Sequence, residues 1–220
     1  DHFDHSTELE SVLVEKNKTQ ALEVISRMLQ EPGAVSYVRQ QEPAGLGHAV
    51  WCARHLIGNE PVAVLLADDL ILGAPALAEM TARYTSGNMV ALMEVPASDT
   101  GAYGIITPGK KDGQVTEINA IVEKPSPETA PSTKAVVGRY ILEPGVFDVL
   151  AKGQRGAGGE IQLTDALAAR IGHVPFHGFD FSGERFDCGS KIGFLKANIA
   201  FGMARDELQG DLAEWLPTRL

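Results

Sequence analysis

The residues of this chain best suited to chemistry are carboxylates and a few polar side chains set against short apolar runs. Asp68 and Asp69 directly follow Val62 to Ala67. In open α/β sheets ligands gather beyond the carboxyl ends of strands. Two carboxylates there suit a hard cation such as magnesium, which would hold phosphate oxygens; they suit a helix cap or a solvated turn as well. Asp187-Cys188-Gly189-Ser190 stands just before a helical stretch opening at Lys191. Amides at a helix start attract anions, and an aspartate beside them can equally be a simple cap. Glu123-Lys124-Pro125 closes a strand-like run. Its carboxylate can accept hydrogen bonds from sugar hydroxyls and its ammonium can hold a phosphate; the alternative is an ordinary exposed ion pair. Pro125 is expected to restrain the backbone that presents Lys124. Gln40 to Gly47 reads Gln-Gln-Glu-Pro-Ala-Gly-Leu-Gly. A glutamine amide can pair with a donor and an acceptor on a base edge, and glycine lets backbone approach a flat ring, although such a loop also simply enters a helix.

Several chemistries find no support. Gly153 to Gly159 is glycine-rich, but no Lys-Ser or Lys-Thr follows, so it is no P-loop. No Gly-x-Ser-x-Gly elbow occurs. His2, His5, His48, His55, His173 and His177 form no ligand-spaced cluster. Cys52 and Cys188 lie far apart without metal-ligand spacing and read as reduced thiols of a cytosolic protein. Nineteen basic against twenty-nine acidic residues give a net charge of −10, which repels nucleic acid and anionic membrane. The longest unbroken apolar run, Val62 to Ala67, is six residues, so nothing is expected to span a membrane.

The elements that must position these residues follow from periodicity. Leu9, Val12, Leu13, Leu22, Ile25, Met28 and Leu29 predict one or two helices over residues 7–30, stopped at Pro32-Gly33. Val35 to Arg39 suggests a short strand, and His48 to Leu56 a helix. Val62 to Leu66 reads as a strand buried on both faces, as in a parallel sheet. A helix is expected over 75–85, strands over 89–95, 103–107, 115–123 and 135–142, and helices over 144–150 and 161–171. Alternation at 174–181 suggests another strand, followed by a helix over 191–205 and a last amphipathic piece holding Leu208, Leu212, Trp215 and Leu216. The alternation predicts an α/β fold with a mainly parallel sheet. No repeat or interdomain linker interrupts 220 residues, so one domain is expected over 1–220.

Taken in order, seven segments resemble the bacterial UTP–glucose-1-phosphate uridylyltransferases, a family of nucleotidyltransferases. They are Gln40 to Val50, Leu65 to Asp69, Ala102 to Ile105, Val122 to Pro125, Val137 to Tyr140, Gly159 to Ala166 and Asp187 to Lys191. The resemblance implies a three-layer α/β/α sandwich with a mixed, mainly parallel sheet. It implies conversion of UTP and glucose 1-phosphate to UDP-glucose and pyrophosphate, serving carbohydrate metabolism and polysaccharide synthesis in the cytoplasm. Gln40 and Gly45 match positions that read uracil. Asp68, with Asp69 beside it, and Asp187 match a Mg2+ site. Tyr103, Gly104, Val137 and Gly138 match segments flanking glucose. Glu123 matches a carboxylate on the sugar hydroxyls, Lys124 a lysine on the sugar phosphate, and Glu160 lies in a motif near the sugar. A homodimer or homotetramer is implied, with apolar residues of the opening and closing helices as plausible contacts.

The family's opening strand and its Gly-x-Gly-Thr-Arg segment, which wraps the triphosphate, have no counterpart here. The chain starts at Asp1-His2-Phe3-Asp4, which resembles a segment past that point. Residues 1–220 alone are therefore expected to be inactive. The competing readings are a non-catalytic binding or assembly module of the same fold, and a thymidylyltransferase acting on the same sugar phosphate.

Overall fold

Residues 88–94 show how the core is built. Side chains along a strand alternate faces. Val90 and Leu92 enter one apolar cluster, while Met89 and Ala91 enter a second. The structure, a computed structural model, describes residues 3–219; Asp1 and His2 of the opening motif lie outside the described residues. The chain divides into two units, 1–39 and 40–220. The first contains helices α1 (Thr7–Glu15) and α2 (Thr19–Met28), neither with a buried residue. Residues 35–39 form no strand; Val35, Tyr37 and Val38 are exposed, and no ladder partner satisfies their backbone.

The second unit runs α3 (Leu46–Cys52), β1 (Val62–Leu65), β2 (Asp69–Leu72), α4 (Ala76–Arg83), β3 (Asn88–Glu94), β4 (Gly104–Asp112), β5 (Val115–Glu123), β6 (Lys134–Leu142), α5 (Gly145–Leu150), α6 (Leu163–Ala168), β7 (Phe176–Asp180), β8 (Glu184–Asp187), α7 (Lys191–Met203) and α8 (Asp206–Trp215). Six strands form one sheet in the order β1-β6-β3-β7-β5-β4. On one face Val50 of α3, Val146 and Leu150 of α5, and Leu163 and Leu167 of α6 pack onto Val90, Leu92, Ile106 and Leu142. On the other, Met80 of α4 packs onto Met89, Ala91, Val137, Ile141 and Phe179. These are the three expected layers. The sheet is mixed but not mainly parallel: β3 and β7 run parallel, while the other described pairs are antiparallel. The β4–β5 hairpin, turning at Gly113 (φ +59°), accounts for part of this.

Two further expectations are corrected. Among the described residues β1 pairs only with β6, at the edge of the sheet, and Leu65 is 50% exposed, so the run is not buried on both faces. A run of apolar residues signals burial somewhere, not the number of neighbours. And the sequence reading passed over β2 and β8, which pair antiparallel as a separate ribbon with Asp69 opposite Asp187. Each has four residues, and the ribbon carries the candidate metal carboxylates.

Candidate active site

Three local features assemble the site. The first is a bulge. Val90 pairs with Tyr140 but Ala91 with Val137, so Gly138 and Arg139 drop out of the β3–β6 ladder. Bulges re-aim groups beside functional sites. Here the Gly138 N–H, released from β3, donates to Asp69 Oδ2 at 2.5 Å. A Cβ at 138 would sit 2.8 Å from Asp69 Cβ and 2.9 Å from Leu66 Cβ, which explains the glycine. Arg139 secures the same loop by donating to the backbone oxygens of Leu66 (3.2 Å) and Asp69 (2.6 Å).

The second feature is the β2–β8 ribbon. It sets Asp68 beside Asp187, and the Cys188 N–H donates to Asp68 O at 2.7 Å. The two side chains converge. A Cβ built on Gly189 would lie 3.1 Å from Asp187 Oδ1 and 3.2 Å from Asp68 Oδ2. Asp187 is not the cap of α7. Ser190 is, its hydroxyl accepting from the Gly193 N–H at 3.0 Å. Asp187 Oδ1 takes the Gly189 N–H at 3.0 Å and keeps its remaining acceptor capacity.

Asp69 differs from Asp68. It is buried, and its two oxygens meet the Gly138 N–H and the Arg185 Nε–H. Asp68 is exposed. Asp69 therefore anchors the loop that presents Asp68. Arg185 also donates to Tyr103 Oη at 3.2 Å. Burial pulls the Arg185 pKa down, but the pairing with Asp69 and the Tyr103 hydrogen bond outweigh it and leave the pKa above the usual arginine value.

The third feature is the β4–β5 pairing. Gly104 stands opposite Glu123, and the Lys124 N–H donates to Tyr103 O at 2.9 Å. Two motifs separate in sequence thus become one edge. A Cβ on Gly104 would approach Thr164 Oγ1 at 3.2 Å and Glu123 Oε2 at 3.3 Å. Lys124 is not in the extended conformation expected before proline: its φ is +48°. The αR region is disfavoured there, and the bond to Tyr103 fixes the residue as it turns out of the strand. Its side chain is 48% exposed and its ammonium lies 3.8 Å from Glu123 Oε1, a loose pairing that leaves it able to take an anion.

These elements enclose a cavity of about 310 Å³ lined by Asp68, Asp69, Tyr103, Gly104, Glu123, Lys124, Val137, Gly138, Glu160 and Asp187, together with Tyr140 and Arg185. Gln40 and Gly45 do not line it. They are tied to it from behind: Gly47 N–H donates to Ile161 O (2.9 Å), Ile161 N–H to Ala44 O (2.7 Å), and a Cβ on Gly45 would sit 2.8 Å from Glu160 Cβ. A larger hollow of about 460 Å³ along α2 has lining from that helix alone and no converging polar set.

Arg139 and Tyr140 lie within the matched segment Val137 to Tyr140 but receive no role from the sequence, and Arg185 lies outside every matched segment. Strand alternation puts Arg185 and Asp187 on one side, but only once β8 is known, and its four residues carry too little pattern to announce it. Tyr140 is nearly fully buried; burial first, then Asp69 and Glu123, push its phenol above the usual range. Five carboxylates line the cavity against Lys124 and Arg185, and Asp69 already neutralises the latter. A cation beside these carboxylates would offset their repulsion of a phosphate. Among the described residues no group of three His, Cys, Asp or Glu could hold a metal, but the oxygen pair at Gly189 suits a hard ion that keeps water and substrate oxygens.

Comparison with known proteins identifies the family. A family model described as nucleotidyl transferase matches residues 5–201. The chain is 46% identical over 220 residues to a UTP–glucose-1-phosphate uridylyltransferase of Komagataeibacter xylinus, covering 99% of this chain and 75% of that protein. A crystal structure of UDP-glucose pyrophosphorylase complexed with UDP-glucose superposes with a TM-score of 0.83 at 40% identity, over 93% of this chain and 76% of that one. A UTP-bound enzyme of the same kind from Acinetobacter baumannii gives 0.86 at 34% identity, over 98% and 76%. With a family model matching most of its length and a relative 46% identical over 220 residues, the chain belongs to the nucleotidyl transferase family and, within it, to the UTP–glucose-1-phosphate uridylyltransferases.

Proposed function

We propose that the protein transfers the uridylyl group of UTP to glucose 1-phosphate, yielding UDP-glucose and pyrophosphate, as the names of its relatives indicate. The observation that carries this reading is the convergence of Asp68 and Asp187 on Gly189, in the cavity that Glu123 and Lys124 also line. A sugar-phosphate oxygen is anionic at neutral pH and attacks the α-phosphorus in line with departing pyrophosphate, without a general base. The protein's part is alignment and charge neutralisation. Lys124 holds the sugar phosphate and offsets its charge. Glu123 accepts from sugar hydroxyls, flanked by Tyr103, Gly104, Val137, Gly138 and Glu160. Gln40 and Gly45 meet the uracil. Asp68 and Asp187 hold Mg2+, and Asp69 positions Asp68. When bound, the metal neutralises charge at the phosphates.

The test is a two-by-two cycle in the intact enzyme. Asp68→Asn and Asp187→Asn keep shape and remove charge. Each should lower kcat by about a hundredfold or more, a loss on the order of 3 kcal/mol in transition-state stabilisation, and raise the magnesium requirement with little change in Tm. The double variant should lose less than the product of the single losses, because both act through one ion. Multiplicative losses sink the shared metal; a parent enzyme that releases no pyrophosphate from UTP and glucose 1-phosphate sinks the reaction. Running UTP against dTTP in the same assay settles uridylyl against thymidylyl transfer.

A further inference from the structure

Gln40 has an amide whose two ends are chemically opposite, and its value to a base depends on which end faces outward. The Gln40 Nε2 atom lies 3.1 Å from Gly45 O. A carbonyl oxygen can only accept, so the nitrogen must face it. The same Nε2 lies 3.0 Å from His48 Nδ1. An NH2 group has two hydrogens, and these two partners take both. His48 Nδ1 is then the unprotonated nitrogen of a neutral imidazole. Its Nε2 carries the proton and faces Cys52 Sγ at 3.8 Å, one helical turn further along α3. The ring stacks on Trp51 with centroids 6.0 Å apart and planes at 24°, which holds its orientation.

We propose that His48 is a positioning residue that locks the Gln40 amide with its oxygen toward the nucleotide, so that the site accepts a base presenting a ring N–H and disfavours one presenting a ring acceptor. This rests on the proposed placement of uracil at Gln40. Uracil offers N3–H between two carbonyls, and the outward Oε1 accepts it. Cytosine offers an unprotonated N3, which would oppose Oε1 as acceptor against acceptor. Without an acceptor at His48 Nδ1, one amide hydrogen loses its partner, the group can turn over, and the discrimination weakens. Thymine presents the same N3–H edge as uracil, so the lock acts on the pairing edge and is blind to the methyl group.

The test compares His48→Ala, His48→Asn, His48→Gln and Gln40→Ala in the intact enzyme, with UTP and CTP as probes. Asparagine can place an oxygen acceptor near the position of Nδ1 without the ring; glutamine places its polar end nearer that of Nε2. A neutral hydrogen bond of this kind corresponds to about a threefold to tenfold effect. His48→Ala and His48→Gln should raise KM for UTP by that factor and reduce the UTP-over-CTP preference similarly. Both kcat and KM for glucose 1-phosphate should stay within about twofold of the parent. His48→Asn should restore UTP affinity and preference although the Trp51 stack is gone. The lock is overturned if His48→Asn and His48→Gln behave alike, which would leave His48 a packing residue, or if His48→Ala changes nothing while Gln40→Ala weakens UTP. Unchanged UTP binding and preference in Gln40→Ala would instead overturn the placement of the base itself.

Discussion

Lys124 shows how much one residue's surroundings add to its type. As a charge at the end of a strand it could be any surface lysine. In place, it sits at φ +48° beside a half-buried Glu123, hydrogen-bonded through its own N–H to Tyr103 O. The left-handed region costs a residue with a Cβ about 1–2 kcal/mol, and such conformations persist at functional sites when the surroundings over-determine them. Lys124→Ala should lower kcat/KM for glucose 1-phosphate by at least tenfold to a hundredfold, the loss of charge-assisted hydrogen bonds of roughly 1.5–3 kcal/mol each, with UTP binding little changed. Lys124→Gly should be equally impaired yet more stable than Lys124→Ala by about 1 kcal/mol, readable by denaturant unfolding. An alanine variant with parental turnover would reduce Lys124 to an exposed ion pair.

Among the elements, the sheet is tied by ion pairs around the end of β7 as well as by its ladders. Asp180 accepts from Lys111 of β4 at 2.8 Å and from Lys134 of β6 at 2.9 Å, and Lys134 also reaches Glu94 of β3 at 3.2 Å. Burial raises the Asp180 pKa, but the hydrogen bonds from Lys111 and Lys134 outweigh it and hold the carboxyl below the usual aspartate range. The sign follows: the folded pKa is lower than the unfolded one, so the contribution is fully present above the unfolded pKa and is lost as pH falls through the folded value. Asp180→Asn should therefore have a lower Tm than the parent at pH 7, and the gap should close on acidification below the carboxylate range. A gap that stays constant down to about pH 3, below the usual aspartate pKa, would mean that Asp180 stabilises by packing alone.

For the whole molecule, site residues are contributed by the β1–β2 loop, β4, β5, β6 and β8, so a ligand in the cavity ties most of the second unit together. At one hundred times its Kd, UDP-glucose should stabilise by about 2.7 kcal/mol, a Tm rise of roughly 5–10 °C for a domain of this size. Hydrogen exchange should slow in β4–β5, around the β6 bulge and in the β2–β8 ribbon. Helices α1 and α2, which bury no residue, should exchange fast with or without ligand. Equal protection of α1 and β3 in the free protein would contradict that ranking.

The sequence by itself determined the elements whose signal is local: the helices α4 and α7, the strands β3, β5 and β6, and the order of the motifs that carry the family. Those follow from periodicity and residue type, which neighbours along the chain suffice to express. Strand direction and the β2–β8 ribbon were not legible, because pairing is decided between segments distant in the chain and four residues carry too little pattern to announce a partner. The same holds within the site. Asp68 and Asp69 are adjacent and chemically identical, and nothing in the chain order separates them. Only the bulge at Gly138 and the placement of Arg185 bury one as an anchor and leave the other open toward Asp187, because burial and hydrogen-bond partners come from other strands.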